Sequence, residues 1–265
     1  MVAVDFIKTG SLKYKFLRHI FNAAYSHADH LIVLGRDMYK IMNKKVSHKK
    51  RLPKISIIEN WADTETIKPE DKAVNELRIS NELSQKIVFQ FAGNLGRLQG
   101  LIELFEVIKQ VKNPHVHFLI IGEGALKNEI EAFVKNNKLT NTTLLPSFPR
   151  HQQNYFLNCT DVGIVSLASK MFGLGVPSKS YNIAAAGKPI LYIGPENSEI
   201  YNFIKMNGIG WCFTIAEKEK LIDFFESLNQ RKCSEINRLG IKARELVVDK
   251  YSMNSILNKF NTVFK

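Results

Sequence analysis

From Lys86 onward the chain alternates between short apolar runs and segments whose apolar residues recur every three or four positions. Residues Ile87 to Ala92, Val116 to Ile121, Thr142 to Leu145, Val162 to Ser166, Ile190 to Ile193 and Gly210 to Ile215 are predicted strands. Between them, Leu101 to Val111, Leu126 to Asn136, Gln152 to Leu157, Ser178 to Ala186 and Ser198 to Met206 carry a helical period. Apolar strands alternating with amphipathic helices predict an α/β fold, a parallel sheet with helices on both faces. Three further helical patterns follow, at Glu217 to Asn229, Glu235 to Lys250 and Ser252 to Phe264.

Upstream the pattern thins. "HLIVLG" and "KISIIEN" read as two strands with the helix "RDMYKIMNKK" between them, and the amphipathic stretch "SLKYKFLRHIFNAAYSHA" precedes them. Such a βαβ piece makes no normal sheet by itself. The polar run from Ala62 to Gln85 reads as a connection. The expected division is therefore residues 1–62, 63–85 as linker, 86–248 as the main domain, and 249–265 as a helix packing back toward the amino-terminal part.

Charge adds one feature. The net +12 is concentrated before Ile55, where 12 Lys and Arg face 3 Asp and Glu. Two readings of the basic amphipathic stretch stay open: a helix packing on the core, or attraction to an anionic membrane surface. No zinc-finger, RRM or helix-turn-helix pattern accompanies the charge, so nucleic acid is not an expected partner. Cys159, Cys212 and Cys233 are widely spaced without a CxxC pair, arguing against a disulfide framework or a zinc site. Apolar runs such as "VHFLIIG" are too short to cross a bilayer and no leader pattern opens the chain, so the expectation is a cytoplasmic protein.

In an open parallel sheet, ligands bind beyond the carboxyl ends of the strands. The loops expected there are "GNLGRLQG" (Gly93 to Gly100), "GEGA" (Gly122 to Ala125), "PSFPR" (Pro146 to Arg150) and "FGLGVPSK" (Phe172 to Lys179). In "VPSKSYNIAAAGKPIL", Ser178 is a natural N-cap, Gly187 a natural residue after the last turn, and Pro189 forbids further helix. Gly173, Gly175 and the helix start at Ser178 suit a diphosphate, with Arg97 and Lys179 supplying full charges. Each loop alone also reads as a tight βα turn, and Lys179 as a solvated charge. His115, His117 and His151 lack metal-like spacing, and no nucleophile–base set is readable.

"ADHLIVLG", "KISIIENWADTETI", "FAGNLGR", "FLIIGEGALKNEIE", "FPR", "DVGIVSL", "VPSKSYNIAAAGKPIL" and a late "YS" occur in this order. Together they resemble the retaining nucleotide-sugar glycosyltransferases of the two-Rossmann-domain (GT-B), family 4-like type, in particular the bacterial surface-polysaccharide branch of the fucosamine and colanic-acid transferases. The resemblance runs from about Lys13 to the end of the chain and lacks most of the amino-terminal, acceptor-side domain. It implies that Gly173, Leu174, Gly175, Val176, Pro177, Ser178 and Lys179 hold the donor diphosphate and sugar. The same resemblance gives the base to the loop with Phe148, Pro149 and Arg150, and adds Gly93, Asn94, Gln99, Gly122 and Glu123 to the donor-binding set. Asn182 stands where many relatives have a ribose-binding glutamate, and Leu174 where the other glutamate of their Glu-x7-Glu pair lies. The usual Arg and Lys of the phosphate loop fall at Asn94 and Gln99, with Arg97 as substitute.

The implied activity is sugar transfer, with retention, from a UDP- or GDP-sugar to a saccharide or lipid-linked acceptor in polysaccharide, lipopolysaccharide or capsule synthesis. Arg97 and Lys179 would stabilise the leaving diphosphate; no catalytic nucleophile is assigned, and neither a metal nor another cofactor is expected. The implied location is cytoplasmic, peripheral at the inner face of the membrane. The alternatives are an inactive nucleotide-sugar-binding module or an interaction module that works with a separate amino-terminal half or as a homo-oligomer.

Overall fold

The computed structural model describes residues 7–46 and 53–264; part of the basic "NKKVSHKKRLPK" loop lies outside the described residues. Helix α1 (Leu12–His27) leads into strand β1 (His30–Val33), helix α2 (Arg36–Val46) and strand β2 (Lys54–Ile57). β1 and β2 form a two-stranded parallel sheet in which His30 is level with Lys54 and Val33 with Ile57. A short helix α3 (Glu76–Ser80) precedes the main sheet.

That sheet has six parallel strands: β3 (Ile87–Ala92), β4 (Val116–Ile121), β5 (Thr142–Leu145), β6 (Val162–Ser166), β7 (Ile190–Ile193) and β8 (Gly210–Phe213). Their spatial order is β5-β4-β3-β6-β7-β8. The chain builds outward from β3 to β5, returns to the other side of β3, and builds outward again. β3 and β6 therefore flank the topological switch point, where a crevice opens beyond their carboxyl ends.

Helices α4 (Leu101–Ile108), α5 (Lys127–Asn136) and α9 (Lys218–Glu226) cover one face. On that side Phe89, Phe118 and Phe225 meet edge-on or tilted, with ring centroids 5.0–6.1 Å apart. Helices α6 (Gln153–Asn158), α7 (Lys179–Ala185), α8 (Glu199–Asn207) and α10 (Cys233–Lys250) contribute to the core on the other face, where Tyr181, Tyr192 and Phe203 are fully buried. The alternation along β3 explains the division: Phe89 and Phe91 enter the first core while Val88 enters a smaller cluster with Leu77, Leu83 and Leu119. Helix α11 (Met253–Phe264) ends the described chain, and its Lys259 ammonium pairs with Glu59 at 2.7 Å.

The connection between the two sheets is held at several points. The Asp161 carboxylate, at the foot of β6, pairs with Arg78 at 3.0 Å and with Lys72, and accepts the Val88 N–H at 2.8 Å. Arg78 also donates to the carbonyls of Cys159 and Lys86. From α10, Arg244 donates to the carbonyls of Thr64, Ile67 and Ala185 at 2.7–3.0 Å.

The small sheet joins the large one through an exchange of carboxylates between helix starts. Glu199, at the start of α8, accepts the Arg36 N–H at 2.7 Å and, along one edge of the Arg36 guanidinium, Nη2 at 2.7 Å and Nε at 3.0 Å. In return the buried Asp37, at the start of α2, accepts the Glu199 N–H at 3.1 Å and the Met38 N–H at 2.7 Å. Each carboxylate occupies amides that a helix leaves unpaired at its first turn.

The core-packing reading of the basic amphipathic stretch is corrected here. Leu12 is 84% exposed and Phe16 66%, and Ile20 and Phe21 are also exposed; of α1 only Ser26 is buried.

Candidate functional site

A cleft of about 570 Å³ opens at the switch point, a size ordinary for a small-molecule site. Its floor comes from the loops after β3 and β4, which are laced together: Gly93 N–H donates to Ile121, Leu95 N–H to Glu123, and Leu126 N–H to Leu95. Gly122 is required at this seam. Its φ is +155°, and a Cβ there would lie 1.9 Å from the Gly93 carbonyl oxygen. One wall is the Ser147–Phe148 loop, with the Phe148 ring tilted against Phe156 at 5.8 Å and edge-on to Tyr155 at 6.4 Å. The opposite wall is Gly175, Val176, Pro177, Ser178 and Lys179 at the entry to α7.

Lys179 dominates the electrostatics. Its ammonium sits 3.4 Å from the ring centroid of Phe91, a strand residue wholly inside the core. Among the described residues no carboxylate pairs with it and no carbonyl accepts from it. Burial pushes its pKa down from 10.5 to about 7. The residue as a whole is half-buried, and its ammonium lies against the Phe91 ring at the lining of the cleft. A cation–π contact of about 0.5–2 kcal/mol offsets only part of that desolvation. An anion entering the cleft would supply the missing partner.

The structure gathers most of the expected residues and disperses the rest. Gly93, Asn94, Gln99, Gly122 and Glu123 line the cleft, as do Phe148 and the Gly175–Lys179 wall. Arg97 does not: its exposed side chain lies over a separate depression with Glu103 and Glu129, because the loop turns outward after Leu95 is buried. Leu174 projects outward, 51% exposed. Pro149 and Arg150 are exposed beyond the Phe148 wall, where a 3₁₀ turn begins at Arg150.

Gly173 is buried against α2 rather than open to the cleft. It holds φ +66°, and a Cβ would fall 2.2 Å from Ile41 Cδ1. The Asn182 side chain is also engaged: its Oδ1 accepts the Asp63 N–H at 3.1 Å and its Nδ2 donates to Gln153 Oε1 at 3.3 Å. Ser178 adopts helical angles and makes no capping bond with its side chain, so its expected N-cap role is corrected. The α7 first turn is tightened instead by Ser180 and Tyr181 N–H bonds to Pro177 and Ser178.

Two polar lining residues outside the expected loops were missed. Gln90 is 2% exposed in the middle of β3 and donates to Phe156 O at 2.6 Å; a lone amide inside "IVFQFA" was its signal. Gln153 reaches the cleft from α6, and nothing in its neighbourhood marked it. Among the described residues no three His, Cys, Asp or Glu side chains come together.

A six-stranded parallel sheet with helices on both faces and a switch-point cleft between Gly-rich loops defines the α/β architecture of the GT-B glycosyltransferases. The profile of the family described as "Glycosyl transferases group 1" matches residues 74–246, and the chain belongs to that family. It is 34% identical over 260 residues to the probable glycosyltransferase WbjE of Pseudomonas aeruginosa, covering 98% of this chain and 64% of that one. It is 24% identical over 199 residues to WcaI of Escherichia coli K12, a putative colanic acid biosynthesis glycosyl transferase, covering 74% and 48%. The fold matches HepE of Anabaena, solved with UDP and glucose, at a TM-score of 0.78 and 13% identity, covering 94% of this chain and 66% of that one. The chain thus spans less than two thirds of the length of these curated relatives.

Proposed function

We propose that this chain binds the donor of a bacterial glycosyltransferase that moves a sugar, with retention, from a UDP- or GDP-sugar to a saccharide or lipid-linked acceptor of a surface polysaccharide. The observation that carries the reading is Lys179, an ammonium without a counter-ion at the inner end of the switch-point cleft. The donor diphosphate is the anion whose size and charge suit that position, and the base would lie against Phe148 across the cleft. When the glycosidic bond breaks, negative charge grows on the diphosphate. A desolvated cation held in place stabilises that charge more than water would. This role goes to Lys179 alone, since Arg97 faces away. Charge neutralisation by lysine is also why neither a metal nor another cofactor enters the proposal.

The kinship with WbjE and WcaI supports the polysaccharide class, and HepE's binding of UDP supports the nucleotide. A thermal-shift panel with UDP, GDP, ADP and their common sugars tests it. At 100 times its Kd a true ligand stabilises by about 2.7 kcal/mol. A flat panel across all nucleotides would overturn the donor reading.

A second reading draws on α1. Leu12, Phe16 and Ile20 are exposed at helical spacing beside Lys13, Lys15 and Arg18. That face suits peripheral attachment to an anionic membrane, which would bring a lipid-linked acceptor close, or contact with a separate partner half or a second copy. No helix among the described residues is long and apolar enough to cross a membrane. Vesicle sedimentation separates attachment from a concentration-dependent mass.

A further inference from the structure

At the opposite edge of the main sheet lies a second cavity, of about 730 Å³, larger than the donor cleft. It is built where β3, β4 and β5 begin and where α4 and α5 end, so a six-residue strand, about 20 Å, separates it from the first. Its lining includes Lys86, Lys109, Lys112 and Lys138, and no Asp or Glu. We propose that this cavity binds a phosphate-bearing polyanion, independently of the nucleotide at the switch point.

The lysines are not all explained by local structure. Lys86 donates to Pro114 O at 2.7 Å and Lys112 to Lys109 O at 3.3 Å, so these two serve backbone carbonyls. The ammonium groups of Lys109 and Lys138 have no hydrogen bond or carboxylate among the described residues; Lys109 only approaches the Phe133 ring, at 5.9 Å. The ends of α4 and α5 each contribute about half a negative charge. Glu226, just outside, adds one and spends it on the Lys112 N–H at 2.5 Å. Two helix ends and one carboxylate do not balance four ammonium groups, and the surplus is about two positive charges.

The floor of the cavity holds a buried imidazole beneath these lysines. His117, 8% exposed at the second position of β4, bonds Thr143 Oγ1 at 2.9 Å. Burial, with Lys86 beside it, pushes its pKa down to about 4. The imidazole is therefore kept neutral by its surroundings, and a bound polyanion would favour its protonation.

The test uses inorganic tripolyphosphate as probe, followed by calorimetry, with wild type and Lys109→Gln/Lys138→Gln. Both changes are at exposed positions, and a UDP titration of the double variant shows that it is folded. The expected result is binding by wild type, at least tenfold weaker in the double variant, with UDP affinity altered less than twofold and the His117 midpoint raised at saturation. Sedimentation with phosphatidylglycerol vesicles then separates sources: vesicle binding lost in the double variant points to a lipid headgroup, and unchanged vesicle binding to a soluble phosphate. Tripolyphosphate that fails to bind wild type, or binds both forms equally, overturns the site.

Discussion

Replacing Lys179 with Met keeps the length and apolar stem of the side chain and removes its charge. In the unliganded protein the ammonium's pKa falls from 10.5 to about 7 through burial, which corresponds to about 4–5 kcal/mol between the two protonation states. The cleft is open at its mouth and solvent recovers part of that, so about 2–4 kcal/mol remains as a cost of keeping the charge at neutral pH. Because the folded value is depressed, the unfolded chain holds more protons between about pH 7 and 10.5. Wild-type stability therefore rises with pH across that window and levels off below it, as far as this group contributes. Lys179→Met loses that slope and is more stable at pH 7, while binding UDP ten- to a hundredfold more weakly. In wild type, UDP affinity falls as pH rises above about 7, since the anion needs the protonated form. Urea unfolding at pH 6, 7 and 9, with and without UDP, reads all these effects. A Met variant that is less stable at pH 7, or that keeps the wild-type slope, would refute the argument that Lys179 is a desolvated charge without a partner.

Asp161→Asn leaves Arg78 buried without its carboxylate and is expected to cost about 3–5 kcal/mol; urea midpoints giving less than about 1 kcal/mol would mean the pair is not buried as described. Gly173→Ala meets both a left-handed φ and the Ile41 side chain, for an expected loss of about 1–3 kcal/mol in the same assay. Arg97→Ala should change UDP affinity less than twofold, whereas Gln153→Ala should weaken it by about three- to tenfold, one hydrogen bond's worth. Calorimetry that reverses this order would return Arg97 to the donor site.

The strands were legible because each is a short β-branched or aromatic run bounded by polar or turn residues. Five of the six in the main sheet begin and end where the pattern places them. The sixth stops at Phe213, since Thr214 and Glu217 form a capping box that starts the next turn. Helix α4 likewise ends at Ile108, before Val111, in turns closed by Gln110 and Val111 N–H bonds. The rim that holds the cleft also followed from the predicted parallel sheet, whose ligand loops lie beyond the carboxyl ends of the strands. Side-chain direction did not. Arg97 and Leu174 sit in the right loops but face outward, and Asn182 is committed to Asp63 and Gln153. A loop's residues are close in sequence whichever way they point, and only packing against distant segments decides. The Asp37–Glu199 exchange is the extreme case, joining residues 162 positions apart with no local trace.

That exchange has a mechanical consequence. Pulling α2 away from α8 would strip two helix starts of their anions and leave both carboxylates seeking water at once, so the seam resists opening as a unit. The small sheet and the β7–β8 side of the large one behave as a clamped joint.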